Sequence, residues 1–336
     1  MTSTRDTVKA WAETITLPTG TQSRAQLCAM MMFAIVVAVA SGCRSGAVVT
    51  PSPMPTSPLK VEQQPVPGGP VLLRDGITLR KVIGVGGGNI RLARNPVSGE
   101  MYFLNPSEGL YRVELTPPTS TSKVVAASDI FTDGVPSGMA FGPDGTLFVV
   151  ANRQVRKTQT QAVIRKGTVT ASGGWTWETL ASTEPYPMSG TQFDHLFNGI
   201  VVTADGQWVF VNSGSRTDHG EVENNNYAFP DTREVALTAK IFRLPATAVD
   251  LVLPNDDAAL TGQRLIFVRG TRNAYDPAFA PNGDLFVGDN GPDADYPDEL
   301  NWIREGQHYG FPWRFGNQDN PQQFPDYDGT KDKRLS

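Results

Sequence analysis

Residues 270–313 read GTRNAYDPAFAPNGDLFVGDNGPDADYPDELNWIREGQHYGFPW, and this stretch decides the fold class. Over residues 278–288, apolar and small residues alternate around Asn282-Gly283, a dipeptide that supplies positive φ at both centres of a type I′ turn. The pattern predicts a β-hairpin. Beyond it, the carboxylates Asp289, Asp293, Asp295, Asp298 and Glu299 crowd a loop broken by Gly291, Pro292 and Pro297. Such a loop is either solvated or binds a cation. Calcium takes oxygen ligands, partly from carbonyls that irregular backbone exposes, so the composition suits it, although the spacing is not that of an EF-hand.

The same hairpin signature recurs upstream. Copies span residues 90–103 around Ser98-Gly99, 137–150 around Asp144-Gly145, 198–211 around Asp205-Gly206, and 276–287 around Asn282-Gly283. Propellers repeat a four-stranded blade about every 40–50 residues, and the step from Gly99 to Gly145 fits that period. Later steps are longer, and the one from Gly206 to Gly283 leaves room for an insertion over 218–232 followed by a strand over 239–244. A β-sandwich also has regular short strands but would not repeat one hairpin signature in this way. The expected fold is all-β, with blades arranged as a propeller.

Composition agrees. The chain has 336 residues with 33 Gly and 26 Pro, which favours many turns over long helices. A net charge of −5 with both signs interspersed offers no broad basic face, so nucleic acid is not expected as a partner. Both cysteines, Cys28 and Cys43, lie near the N-terminus, which leaves the body without a disulfide framework or thiolate metal site. The histidines, His195, His219 and His308, are too far apart for a local zinc motif.

Residues 25–40 form an apolar run behind Arg24, too short for a comfortable membrane span and ending in small residues, as export signals do. Ala40-Ser41-Gly42-Cys43 resembles a bacterial lipobox, with Ala40 where leucine is usual. Residues 1–43 are therefore expected to be a leader, with Cys43 lipidated at the mature N-terminus in the periplasm or cell envelope. Residues 44–70, rich in Pro, Ser, Thr, Gln and Gly, have too little apolar surface to offset their ordering entropy and are expected to form a disordered tether. The folded domain is expected over 71–336.

The Arg272-Asn273 pair, Asn282-Gly283, Gly291-Pro292, Asp298-Glu299-Leu300-Asn301 and Tyr309-Gly310-Phe311-Pro312 together resemble the soluble quinoprotein glucose/sorbosone dehydrogenase family. The resemblance implies a six-bladed β-propeller that oxidises sugars with pyrroloquinoline quinone (PQQ) and calcium. It implies that His195, preceded by Asp194 just ahead of a strand, is the general base, and that Arg272 and Asn273 stand at the quinone. It also implies that consecutive carbonyls of Gly291 and Pro292, beside Asp298 and Glu299, hold the metal. Asp194 joins Arg272 and Asn273 as an expected cofactor-binding residue. The chain departs from the family pattern at Asp276-Pro277, where a glycine is usual, and at residues 212–216, where a Gly-Asp turn is usual.

Residues 71–336 hold about four to five blades at the usual repeat length, so the ring is expected to be incomplete and the chain alone not to complete the cofactor site. The expected reaction is oxidation of an aldose or related polyol, with an electron acceptor that the sequence does not identify. Two other classes fit a propeller: a calcium-dependent lactonase-like hydrolase, which has no use for Arg272-Asn273, and a non-catalytic carbohydrate- or protein-binding propeller. Arg216 and His219 are expected to decorate a surface loop, and Trp302, Tyr309, Phe311, Trp313 and Phe315 to pack in the core.

Overall fold

The computed structural model describes residues 81–293, 297–316 and 318–319. The leader with Cys43, the tether, Asp295 and the polar stretch 326–336 lie outside the described residues. The first sheet is a four-stranded antiparallel meander of β1 (Arg91–Arg94), β2 (Met101–Asn105), β3 (Gly109–Glu114) and β4 (Ser120–Ala126). The short helix α1 (Ala127–Ile130) leads into the second, β5 (Val135–Phe141), β6 (Leu147–Arg156), β7 (Gln159–Val169) and β8 (Trp175–Thr183), with β9 (Tyr186–Pro187) pairing β7. The third consists of β10 (Phe197–Val202), β11 (Trp208–Ser213), β12 (Lys240–Pro245) and β14 (Ile266–Arg269). Between its last two strands the chain leaves to form β13 (Leu251–Leu253), which adds in parallel to β8, and α2 (Asp257–Gly262). The fourth is β15 (Ala274–Phe279), β16 (Leu285–Asp289) and β17 (Glu299–Ile303); β18 (Arg314–Phe315) and β19 (Gln318–Asp319) pair separately. The described chain is nearly all β, in four propeller blades, as the hairpin repeat predicts.

Strand periodicity explains how the blades stack. Successive side chains of a strand point to opposite faces, so a strand covered on both faces reads as a continuous apolar run. In β6, Leu147, Val149 and Ala151 enter the core shared with the first blade, while Phe148 and Val150 enter the one shared with the third. Likewise, β11 sends Val209 and Val211 one way and Phe210 the other, into the core with Leu285, Val287 and Ile303 of the fourth blade. Near the axis the inner strands approach too closely for side chains. A Cβ at Gly138 would lie 1.8 Å from the Asn198 carbonyl oxygen, and one at Gly199 would lie 2.6 Å from Pro277 Cδ.

The hairpin turns differ from the expected type I′. Gly283 has φ +90°, Asn282 is not in the positive region, and the Gly283 N–H donates to the Ala280 carbonyl at 2.9 Å. This is a type I turn followed by a left-handed glycine, because Pro281 holds φ negative at the first central position. Gly145 repeats it behind Pro143-Asp144, with its N–H on the Gly142 carbonyl at 3.0 Å. Asp144 and Asn282 each use Oδ1 to accept the N–H two residues on. The aromatic corner also divides: Phe311 and Phe315 are buried, whereas Trp302 and Trp313 are 47% and 41% exposed.

Candidate active site

At one end of the third and fourth blades, four segments meet: the loop before β10, the chain after β11, the residues before β15 and the loop after β16. They are joined through main-chain bonds. The His195 N–H donates to the Ser215 carbonyl at 3.0 Å, and the Ser215 N–H donates to the Arg272 carbonyl at 2.5 Å. Gly214 permits the approach, because a Cβ there would stand 2.4 Å from the Cβ of His195.

His195 is half-buried, and its enclosed Nε2 has no hydrogen-bond partner among the described residues. Burial first, and then the charge of Arg272, hold its pKa down to about 4, with Asp218 acting in the opposite direction. It is therefore a neutral ring near pH 7, with an enclosed and unpartnered nitrogen.

Arg272 is buried and held on several sides. Its Nε donates to the Asp218 carbonyl at 2.7 Å, Nη2 to Asp218 Oδ1 at 2.5 Å, and Nη1 to the Asn290 carbonyl at 3.2 Å. Each terminal guanidinium nitrogen carries two N–H groups, so one on each remains for a further acceptor. The backbone beneath is fixed by Asp289, whose Oδ2 and Oδ1 accept the N–H groups of Arg272 (3.0 Å) and Asn273 (2.6 Å). Asp289 is thus no member of a solvated acidic loop. It ends β16 at 1% exposure, and burial raises its pKa to about 7 against the two main-chain bonds. Asn273 bridges outward, accepting from Asn198 Nδ2 at 2.8 Å and donating to Asn290 Oδ1 at 3.0 Å.

The other expected site residues are placed as follows. Asp194 accepts the N–H groups of Ser189 (2.8 Å) and Gly190 (3.1 Å), and so shapes the loop that carries His195. Asp298 accepts the Gly291 N–H at 3.0 Å and braces the Gly291-Pro292 turn. Glu299 accepts from Asn301 Nδ2 at 3.0 Å and from the Gly316 N–H. Among the described residues, no three His, Cys, Asp or Glu side chains gather to hold a metal, so an ion here would depend on main-chain carbonyls such as those of Gly291 and Pro292.

Sequence reasoning missed Asp218, and it misjudged Arg216. Arg216 is 1% exposed, with its guanidinium donating to the carbonyls of Met188, Thr232 and Arg233 at 3.0 Å each, so it ties the 218–232 insertion to the blade rather than decorating a surface. His219 lies with Nδ1 3.3 Å from carboxylate oxygens of Asp218 and Glu221.

Residues 134–333 match the family model described as Glucose / Sorbosone dehydrogenase. No curated protein matches the chain. Among solved structures, it is similar to the PQQ-bound aldose sugar dehydrogenase of Streptomyces coelicolor at 19% identity and TM-score 0.47, covering 71% of this chain and 66% of that one. It is similar to the calcium form of a Trichoderma reesei carbohydrate-active enzyme at 15% identity and TM-score 0.46, covering 74% and 62%. The PQQ domain of Coprinopsis cinerea pyranose dehydrogenase, in its holo form, gives 15% identity and TM-score 0.42, covering 67% and 49%. The chain thus spans roughly half to two thirds of the length of these three structures.

Proposed function

Because the chain belongs to the glucose/sorbosone dehydrogenase family, we propose that it is a PQQ-dependent oxidoreductase for an aldose or related polyol. The observation that carries this reading is the His195 imidazole: half-buried, neutral near pH 7, unpartnered at Nε2, and stitched to the loop of Arg272.

Oxidation at an anomeric carbon requires the hydroxyl proton to leave as hydride departs, and His195 Nε2, which lacks a partner, is the group that would take that proton. PQQ with calcium supplies, when bound, the hydride acceptor. Toward that group Arg272 offers the N–H groups that Asp218 and Asn290 leave unused, fixed in direction and set in a poorly solvated surround where a cation acts strongly on developing negative charge. Asn273 stands beside it, and the carbonyls of Gly291 and Pro292, near Asp298, suit calcium. Glu299 and Asp194 shape the adjoining loops. The orphaned Nε2 and the spare guanidinium N–H groups fit such a ligand.

The leader and tether support export and attachment to a bacterial membrane surface through lipidated Cys43. Mass analysis of the mature N-terminus tests this, and an unmodified chain that begins elsewhere would overturn it. The reaction is tested with a redox-dye assay on several aldoses, with and without added PQQ and calcium. Dye reduction that needs both additions and an aldose is expected. Activity unaffected by PQQ, or hydrolysis of a lactone in its place, would overturn the reading.

A further inference from the structure

The geometry points to Asp218 as a positioning residue that fixes the direction of the Arg272 guanidinium beside His195. This rests on the function proposed above. Asp218 grips Arg272 at two points, with its main-chain carbonyl on Nε and its carboxylate on Nη2, so the plane of the guanidinium cannot turn without losing one of them. Both side chains are nearly enclosed, at 4% and 5% exposure, where removing one partner of an ion pair leaves an uncompensated charge.

Asp218 is itself held from behind. Its N–H donates to Glu221 Oε1 at 2.9 Å, and the Asp293 N–H reaches its carboxylate at 3.1 Å. Glu234 accepts the N–H groups of Arg216 and Thr217, each at 2.9 Å, and buried Arg216 fastens the same segment to Met188. The segment that carries Asp218 is therefore a rigid arm from the 218–232 insertion to Arg272, and rigid support of this kind keeps a charged group in productive geometry. The insertion then serves the site through the hold of Asp218 on Arg272.

The test is a double-mutant cycle on the full chain: Asp218→Asn, Arg272→Ala and their combination. Turnover is measured with PQQ and calcium, sugar KM alongside it, and PQQ affinity by fluorescence titration without sugar. Asp218→Asn is expected to lower kcat ~10-fold while sugar KM changes less than ~2-fold. In the Arg272→Ala background the same change is expected to cost nothing further, because its effect passes through Arg272. Added guanidinium ion is expected to restore part of the turnover of Arg272→Ala but not of the double variant. Additive losses, or equal rescue of both, would overturn the proposal. Should Asp218→Asn not fold, Asp218→Glu replaces it: retention of most of the turnover supports the proposal, and a loss as large as that of Arg272→Ala overturns it. A wild-type chain that neither binds PQQ nor oxidises sugar overturns the functional reading instead. The cycle in unfolding midpoints still decides whether Asp218 and Arg272 act as a unit.

Discussion

The Ser215 N–H donates to the Arg272 carbonyl at 2.5 Å, and the carbonyl of the same serine accepts the N–H of His195. One residue thus sets the spacing between the proposed proton acceptor and the proposed cation, and the proposal gives the two side chains separate tasks. His195→Ala should leave PQQ and calcium binding nearly intact and lower turnover by ~10²–10⁴, the usual loss for a general base. Arg272→Ala should weaken PQQ binding and turnover together. Equal effects on cofactor affinity, measured by titration, would show that the roles are wrongly divided.

Two buried groups predict opposite pH dependences of stability. His195, held to about 4, is unprotonated when folded but titrates near ~6.5 when unfolded. Between those values the unfolded chain binds the extra proton, so this group makes stability fall as pH drops from about 6.5 to about 4. Asp289, raised to about 7, keeps its proton when folded, so it makes stability fall as pH rises from ~4 through about 7. His195→Gln should therefore steepen the loss of stability with rising pH, and Asp289→Asn should reverse the slope toward a gain. Denaturant midpoints across that range are the measurement, and identical slopes in all three proteins would contradict the assignment.

The blades were legible because a Gly-containing turn between apolar runs, Ser98-Gly99 in the first blade and Asx-Gly in the others, is a local signal. The turn type was not, since Pro281 rather than Asn282 sets the first central φ. Counting carboxylates after the hairpin could not separate Asp289 from its neighbours. Only the register of β15 on β16, which pairs Ala274 with Asp289, shows that its carboxylate meets the Arg272 and Asn273 amides. Asp218 left no signal at all, because its contact with Arg272 spans 54 positions and depends on how Glu221 and Glu234 fold the segment between them.

Gly138 and Gly288 test the inter-blade approach. A Cβ at Gly138 would stand 1.8 Å from the Asn198 carbonyl oxygen, a main-chain atom that cannot rotate away, whereas one at Gly288 meets nothing within 4 Å. Gly138→Ala should destabilise the chain by ~1–3 kcal/mol as an overpacked site. It should also lower activity, because Asn198 Nδ2 donates to Asn273 Oδ1 at 2.8 Å. Gly288→Ala should stay within ~0.5 kcal/mol, the range of ordinary surface changes. Equal unfolding midpoints for the two variants would mean that the inner strands have room to part.

Arg91 and Asp276 predict where the first blade is held. The guanidinium, 4% exposed, places Nε 3.0 Å from Asp276 Oδ1, donates through Nη1 to the Tyr275 hydroxyl at 2.5 Å, and lies 4.2 Å from the centroid of that ring. The Arg91 side chain thus joins β1 of the first blade to β15 of the fourth. Asp276 is half exposed, so the carboxylate can be resolvated once the arginine is gone, and the ion pair itself contributes little. The larger loss lies in the part-buried hydrogen bond to the Tyr275 hydroxyl and the stacking on its ring. Arg91→Ala should therefore cost ~1–3 kcal/mol, and Arg91→Lys should recover only a small part, because an ammonium cannot both stack and reach the hydroxyl. Hydrogen exchange should quicken in β1 and β2 well before β11 and β12, which are held by cores on both faces. Uniform quickening across the blades, or full recovery with lysine, would show that Arg91 is not what holds the first blade to the fourth.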